Sequence, residues 1–379
     1  MPAKTDQTAP HVILDLEHFP RLLETLTKQG YQLLGPTVRD NAIIYDEISS
    51  VIDLPVGWID QQDQGSYRLT KSDKKALFGY VVGPHAWKKY LYPPVQDLWK
   101  ARREGHRFEV IEGNGAPGKR AFIGVRACEL AAIAVQDKVL LAGPYADPWY
   151  KKYRENIFIV AVNCTRAGGN CFCASMNTGP RATGGFDLVL TEMVTTGLHY
   201  FVVESGSAAG IQLLQEIPSR KTAPAEAKAA QEAIQQAAEH MGKTLETTGI
   251  KELLYRNFDH PRWAEVARRC LTCGNCTMVC PTCFCVTVED STDLSRKYAE
   301  RRRRLDSCFT IDFSYIHGGS VRLSTLSRYR QWMTHKLASW QDQFGTSGCV
   351  GCGRCITWCP VGIDLTEEAR AIRGSPGKS

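Results

Sequence analysis

Two stretches of the sequence, CLTCGNCTMVCP (270–281) and CVGCGRCITWCP (349–360), follow one pattern, C-x2-C-x2-C-x3-C-P, with corresponding cysteines 79 positions apart. Any fold of this chain must bring eight sulfurs into two short loops and give them something to bind. Close spacing lets three thiolates of a run point into one concave loop. The fourth is turned away by the start of a helix, and the following Pro281 or Pro360 fixes that turn. This is the bacterial ferredoxin-type run, in which the fourth cysteine reaches the other cluster of a pair. The predicted ligand sets are therefore crosswise. Cys270, Cys273, Cys276 and Cys359 would hold one [4Fe–4S] cluster, and Cys349, Cys352, Cys355 and Cys280 the other. A structural zinc site instead pairs C-x2-C with a distant second pair around one tetrahedron, which two four-cysteine runs fit poorly.

Composition supports metal binding over disulfides. Of 15 cysteines in 379 residues, eleven lie between 270 and 359. A disulfide scaffold is usually short and secreted, whereas MPAKTDQTAP (1–10) has no apolar h-region, so a cytoplasmic location is expected. No apolar run approaches a membrane span; IFIVAV (157–162) has strand length. Residues 251–379 carry 19 Lys and Arg against 13 Asp and Glu, which accounts for the whole net charge of +6. The densest part, RKYAERRRR (296–304), lacks the aromatic interleaving or helix-turn-helix pattern of a nucleic-acid site. It reads as a solvated helix face or a docking surface near anionic clusters.

The length allows two or three domains. Residues 13–29 show a helical face through Leu16, Phe19, Leu22, Leu23 and Leu26, with the regular helix starting near Pro20 and stopped by Gly30. YQLLGP and NAIIYDEI are short strands, and 40–110 reads as irregular strands and loops. From 108 onward the elements sharpen: FEVIE and AFIGV are strands, CELAAIAVQDKVLL a helix and NIFIVAV a strand. FDLVLTEM and HYFVVES read as an antiparallel pair. The predicted class is α+β, with a mixed α/β domain over 1–218 and an exposed Ala/Gln/Glu-rich linker helix within 219–250. A mainly helical, ferredoxin-type dicluster domain follows over 251–379. Between the runs, DLSRKYAERRRRL and LSRYRQWMTHKLASWQDQF both look helical. GNGAPGKR (113–120) matches G-x-G-x-x-G and nearly a P-loop. Strand-like AFIGV follows where a phosphate-binding helix is required, so it reads as a tight turn between strands.

Four cysteines lie outside the runs: Cys128 in GVRACEL, and Cys164, Cys171 and Cys173 in VNCTRAGGNCFC. Each stretch follows an apolar strand. If those strands are neighbours, their carboxyl ends gather the four thiols, and a helix starting at Cys128 adds N–H dipoles that favour an anionic cluster. The alternative is a scatter of buried, inert cysteines, because C-x-C is unusual for a cluster.

Several segments carry a family resemblance: RACEL (126–130), CFCASMNTGP (171–180), GFDLVL (185–190), CPTCFC (280–285), DSCF (306–309) and CVGCGRC (349–355). Through them the chain resembles the beta subunit of cytoplasmic NAD(P)-linked [NiFe] hydrogenases, the sulfhydrogenases. GYVVGPHAWKKYLYPP (79–94) looks like the same branch, and the A subunit of anaerobic sulfite reductase is similar more distantly. The resemblance implies an additional [4Fe–4S] cluster on Cys128, Cys164, Cys171 and Cys173. It also implies a non-catalytic subunit relaying electrons between a flavin subunit that handles NAD(P)H and a hydrogenase small subunit, with the large subunit beyond. The sulfite reductase equivalent is the alternative, and a self-contained enzyme using an open cluster or reactive thiol is a third. Cys283, Cys285 and Cys308, also placed by the family pattern, read as thiols packed near the clusters.

Overall fold

Parallel strands buried on both faces need near-continuous apolar runs, and the centre of this chain supplies them. The computed structural model describes residues 11–105, 107–112 and 118–374. Its strands are β1 (Val12–Asp15), β2 (Gln32–Arg39), β3 (Ala42–Glu47), β4 (Trp58–Asp63), β5 (Ser66–Lys71), β6 (Val95–Glu104), β7 (Arg107–Glu112) and β8 (Arg120–Arg126). They continue with β9 (Ile157–Val162), β10 (Leu188–Thr195), β11 (Leu198–Ser205), β12 (Arg220–Lys221), β13 (Val286–Thr292), β14 (Tyr298–Leu305) and the short pair β15 (Tyr315–Ile316) and β16 (Gly319–Ser320). Eight form one sheet in the order β12-β1-β11-β10-β9-β8-β2-β3. β2, β8, β9 and β10 run parallel in its middle, and antiparallel partners close both sides.

The sheet separates two layers of core. On one face Leu22, Leu23 and Leu26 of the helix Phe19–Lys28 pack with Ile123, Val160 and Leu190. On the other, Leu130 and Ile133 of the helix Ala127–Leu140 pack with Phe122, Ile159 and Trp87. The first helix begins at Phe19, with Pro20 in its opening turn. The residues before it, expected to share its helical face, are strand and a short 3-10 turn, because Val12–Asp15 pairs along Tyr200–Val203. The helix Pro224–Glu239 is less exposed than its composition suggests: Ala230, Ile234 and Ala237 are buried beside β10 and β11. Residues 113–117 of GNGAPGKR lie outside the described residues. The next element along the chain is β8, a strand and not a helix.

The C-terminal part packs the helices Ile250–Arg256, Arg262–Arg269, Thr325–Thr334 and Leu365–Gly374 around Trp263, Tyr329, Trp332 and Ile372. Two expectations fail in and beside it. DLSRKYAERRRRL is no helix; it contributes β14, in a four-stranded antiparallel sheet of order β13-β14-β6-β7. Nor is 40–110 irregular throughout: β4–β5 and β6–β7 are regular hairpins, whereas 72–94 between them has no strand and one short helix, Lys88–Leu91. Charge placement decides the first case. In the extended chain Arg301 pairs with Asp290, Arg302 with Asp97 and Arg304 with Glu289, while Arg303 turns to Asp147 and lies over Tyr92. Cross-strand pairs of this kind override helix propensity. Residues on either side of the 219–250 segment thus share one sheet, and the fold is α+β.

Candidate metal centres

The two cysteine runs repeat in backbone as well as in sequence. Thr272 and Gly351, 79 apart, both have a positive φ (52° and 64°), and Gly274 and Gly353 both have φ 75°. The first kink aims an amide back at the leading cysteine: Thr272 N–H donates to Cys270 Sγ and Gly351 N–H to Cys349 Sγ, each at 3.4 Å. The second opens the one-turn helices Asn275–Met278 and Arg354–Thr357, which carry Cys276 and Cys355.

At the first of these kinks glycine is required only in the second copy. A Cβ on Gly351 would stand 2.6 Å from the backbone of Phe172 and Cys173, whereas Thr272 is partly exposed. The Gly351 carbonyl also accepts from Phe172 N–H at 2.8 Å. Gly351→Ala is expected to destabilise the protein by more than the about 1–2 kcal/mol of left-handed strain alone. Thr272→Ala should change stability by less than about 0.5 kcal/mol. Anaerobic urea unfolding midpoints of the two variants check this.

The thiols fall into three groups. Cys270, Cys273 and Cys276 face Cys359, and all four line a cavity with Phe309, Tyr329 and Trp332. Cys349, Cys352 and Cys355 face Cys280. Cys128, Cys164, Cys171 and Cys173, all buried, form the third at the carboxyl ends of the adjacent strands β8 and β9. Cys128 sits in the first turn of the helix Ala127–Leu140, and Arg126 donates to Cys164 Sγ at 3.8 Å. Cys352 is a near neighbour of Cys128, Cys171 and Cys173, so the second and third groups adjoin. Cys273 alone among the cysteines is exposed, which sets the first group at the surface.

Cys283, Cys285 and Cys308 stand beside these groups. The Cys283 thiol hydrogen-bonds Cys280, and Cys308 hydrogen-bonds Cys285, whose pKa is lowered to about 7 chiefly by that bond.

The surroundings include residues that carried no recognised signal. Arg354, fully buried, pairs with Glu129 at 2.6 Å, and Glu129 also accepts from Tyr45 Oη at 2.6 Å and Trp87 Nε1 at 3.1 Å. Both sit inside motifs that were visible, RACEL and CVGCGRC, yet only the cysteines stood out. Lys336 lies on a π-helical turn, His335–Ser339, and donates to Cys280 Sγ at 3.2 Å. Burial opposes its charge, but the neighbouring cysteine sulfurs, Cys280 foremost, outweigh burial and hold its pKa well above the ordinary lysine value.

The donor chemistry fits iron–sulfur clusters. Each group offers four soft sulfurs. Burial pushes Cys171 and Cys349 up to about 12, so these thiols ionise only if a metal displaces the proton. Among the described residues no three His, Cys, Asp or Glu close around a single ion.

A family profile described as a 4Fe-4S dicluster domain matches residues 269–363. Sulfhydrogenase 2 subunit beta of Pyrococcus furiosus is 31% identical over 368 residues, spanning 96% of this chain and 98% of that protein. The chain belongs to the sulfhydrogenase beta-subunit family. As a sulfhydrogenase beta-type chain it is a hydrogenase-family iron–sulfur protein carrying [4Fe–4S] clusters for electron transfer. No solved structure matches it. Among the described residues no helix is long and apolar enough to cross a membrane.

Proposed function

We propose that this chain is the electron relay of a cytoplasmic NAD(P)-linked [NiFe] hydrogenase complex. It would hold three [4Fe–4S] clusters on Cys270, Cys273, Cys276 and Cys359; on Cys349, Cys352, Cys355 and Cys280; and on Cys128, Cys164, Cys171 and Cys173. Such a cluster, when bound, accepts and releases one electron at a potential set by hydrogen bonds to sulfur, burial and nearby charge.

The observation that carries this reading is the order of the three thiol groups. Cys352 adjoins the Cys128 group, Cys355 also lines the cavity of the Cys270 group, and Cys273 reaches the surface. These adjacencies support a path that would run from the buried carboxyl ends of β8 and β9 to an exposed loop. Its ends would meet a flavin subunit handling NAD(P)H and the hydrogenase small subunit, and the catalytic chemistry would reside on those partners and on the large subunit.

Anaerobic purification with the native partners, followed by iron and sulfide counts and EPR, tests it. About twelve irons per chain are expected, and about eight would remove the Cys128 group. Cys173→Ser should lower the count by about four. A variant that keeps its full iron content would exclude that ligand set.

A further inference from the structure

Two lysines reach the same loop from distant parts of the chain, and both are buried, Lys88 to 6% exposure and Lys336 to 5%. Lys88, on the short helix Lys88–Leu91, donates to the carbonyls of Cys280 at 2.9 Å and Cys283 at 2.8 Å. Lys336 donates to Cys280 Sγ at 3.2 Å, Cys283 Sγ at 3.5 Å, Thr282 Oγ1 at 3.3 Å and the Gly348 carbonyl at 3.2 Å. Among the described residues neither is ion-paired to a carboxylate. The negative groups that face them are cysteine sulfurs.

Burying an ammonium is strongly unfavourable unless an anion accompanies it. A cluster ligated by four thiolates is such an anion, and each added electron makes it more negative. The helix that presents Lys336 is distorted to do so: between Thr325–Thr334 and Trp340–Phe344 it takes a π turn, an irregularity that recurs at functional sites. Thr282 Oγ1 also lies 3.1 Å from Cys280 Sγ, but it is neutral and stands closer, at 2.6 Å, to the Gly348 carbonyl, so the lysine is the charged donor there. The Cys270 group is treated differently. Cys270 and Cys359 accept from the backbone amides of Thr272 and Ile363, at 3.4 and 3.3 Å. In the two C-terminal groups charged donors reach only ligands of the second among the described contacts, Lys336 at Cys280 and Arg354 at Cys352, and the charge of Arg354 is already balanced by Glu129.

We infer that Lys336, supported by Lys88, is a fixed countercharge that raises the reduction potential of the cluster on Cys280, Cys349, Cys352 and Cys355 above that of the Cys270 cluster. Reduction adds negative charge beside the ammonium, so the reduced form gains more and the potential rises. Electrons would then rest at the middle of the relay and not at its exposed end. This rests on the ligand sets proposed above.

The test is an EPR-monitored redox titration of the anaerobically purified full chain. Lys336→Met is expected to lower the potential of one cluster while leaving the others and the iron and sulfide content unchanged. Lys336→Arg should stay near wild type, and Lys88→Met should give a smaller shift in the same direction. A fully loaded Lys336→Met protein with unmoved potentials, or with every cluster shifted alike, overturns the inference. If Lys336→Met loses iron, Lys88→Met decides, since Lys88 touches only carbonyls: a downward shift supports the countercharge and none overturns it. Iron content unchanged in Cys280→Ala would instead overturn the ligand set, and the inference with it.

Discussion

Replacing Cys280 by Ala is expected to empty the site of the other cysteine run, 349–355, and to leave the site of its own run loaded. Cys280 follows the one-turn helix Asn275–Met278, whose end carries it past the concave loop of Cys270, Cys273 and Cys276. There its sulfur meets Cys349, Cys352 and Cys355 and receives Lys336. Losing the fourth ligand should cost about four irons per chain. It would also leave the buried Lys336 ammonium without the thiolate it faces, which should lower stability as well. Cys359→Ala should do the reverse and empty the Cys270 group. Iron counts together with EPR distinguish the two, because the surviving clusters differ in exposure: one lies beside the exposed Cys273 loop and the other is enclosed. Small oxidants should bleach the first quickly and the second slowly. If Cys280→Ala instead spares the enclosed signal and loses the exposed one, each run binds its own cluster and the crosswise arrangement is wrong.

Local spacing is the part of the molecule that was legible in the sequence. A period of 79 residues is visible without any structure, and the backbone follows it at Thr272/Gly351 and Gly274/Gly353. The apolar runs of β8, β9 and β10 announced themselves, as did the helix Ala127–Leu140, because each meets its own hydrophobic requirement within a few residues. The features that escaped depend on partners remote in sequence. Tyr298–Leu305 has the composition of a charged helix, and only Asp97 and the rest of β6, some 200 positions earlier, make it a strand. Lys336 looks like any helical lysine until the π turn directs it at Cys280. Thr272 and Gly351 are equivalent in the repeat, yet only one lies under Phe172. Burial is a property of the assembled layers, and no window along the chain contains it.

The largest effect on stability is expected where those layers are joined, at Arg354. Its guanidinium is fully buried, pairs with Glu129 at 2.6 Å, and donates to the carbonyls of Gly83 at 2.9 Å and His85 at 2.8 Å. Glu129 is one residue from Cys128, and Arg354 lies between Cys352 and Cys355, so the pair ties the third thiol group to the second. Removing one partner of a buried pair leaves a naked charge and typically costs about 3–5 kcal/mol. Arg354→Met should therefore lose about that much, and should shed iron from both adjoining groups because the tie between them is gone. Glu129→Gln alone should also destabilise, since Arg354 then lacks its counterion, although the amide can still engage Tyr45 and Trp87. The double variant is the informative one. In the Arg354→Met background, Glu129→Gln removes the stranded carboxylate, so the double should lose less than the sum of the singles, by about 0.5–3 kcal/mol of coupling. Anaerobic urea unfolding of the four proteins measures it. Strictly additive losses would mean that Glu129 and Arg354 act through their separate hydrogen bonds, and that the joint between the two layers lies elsewhere.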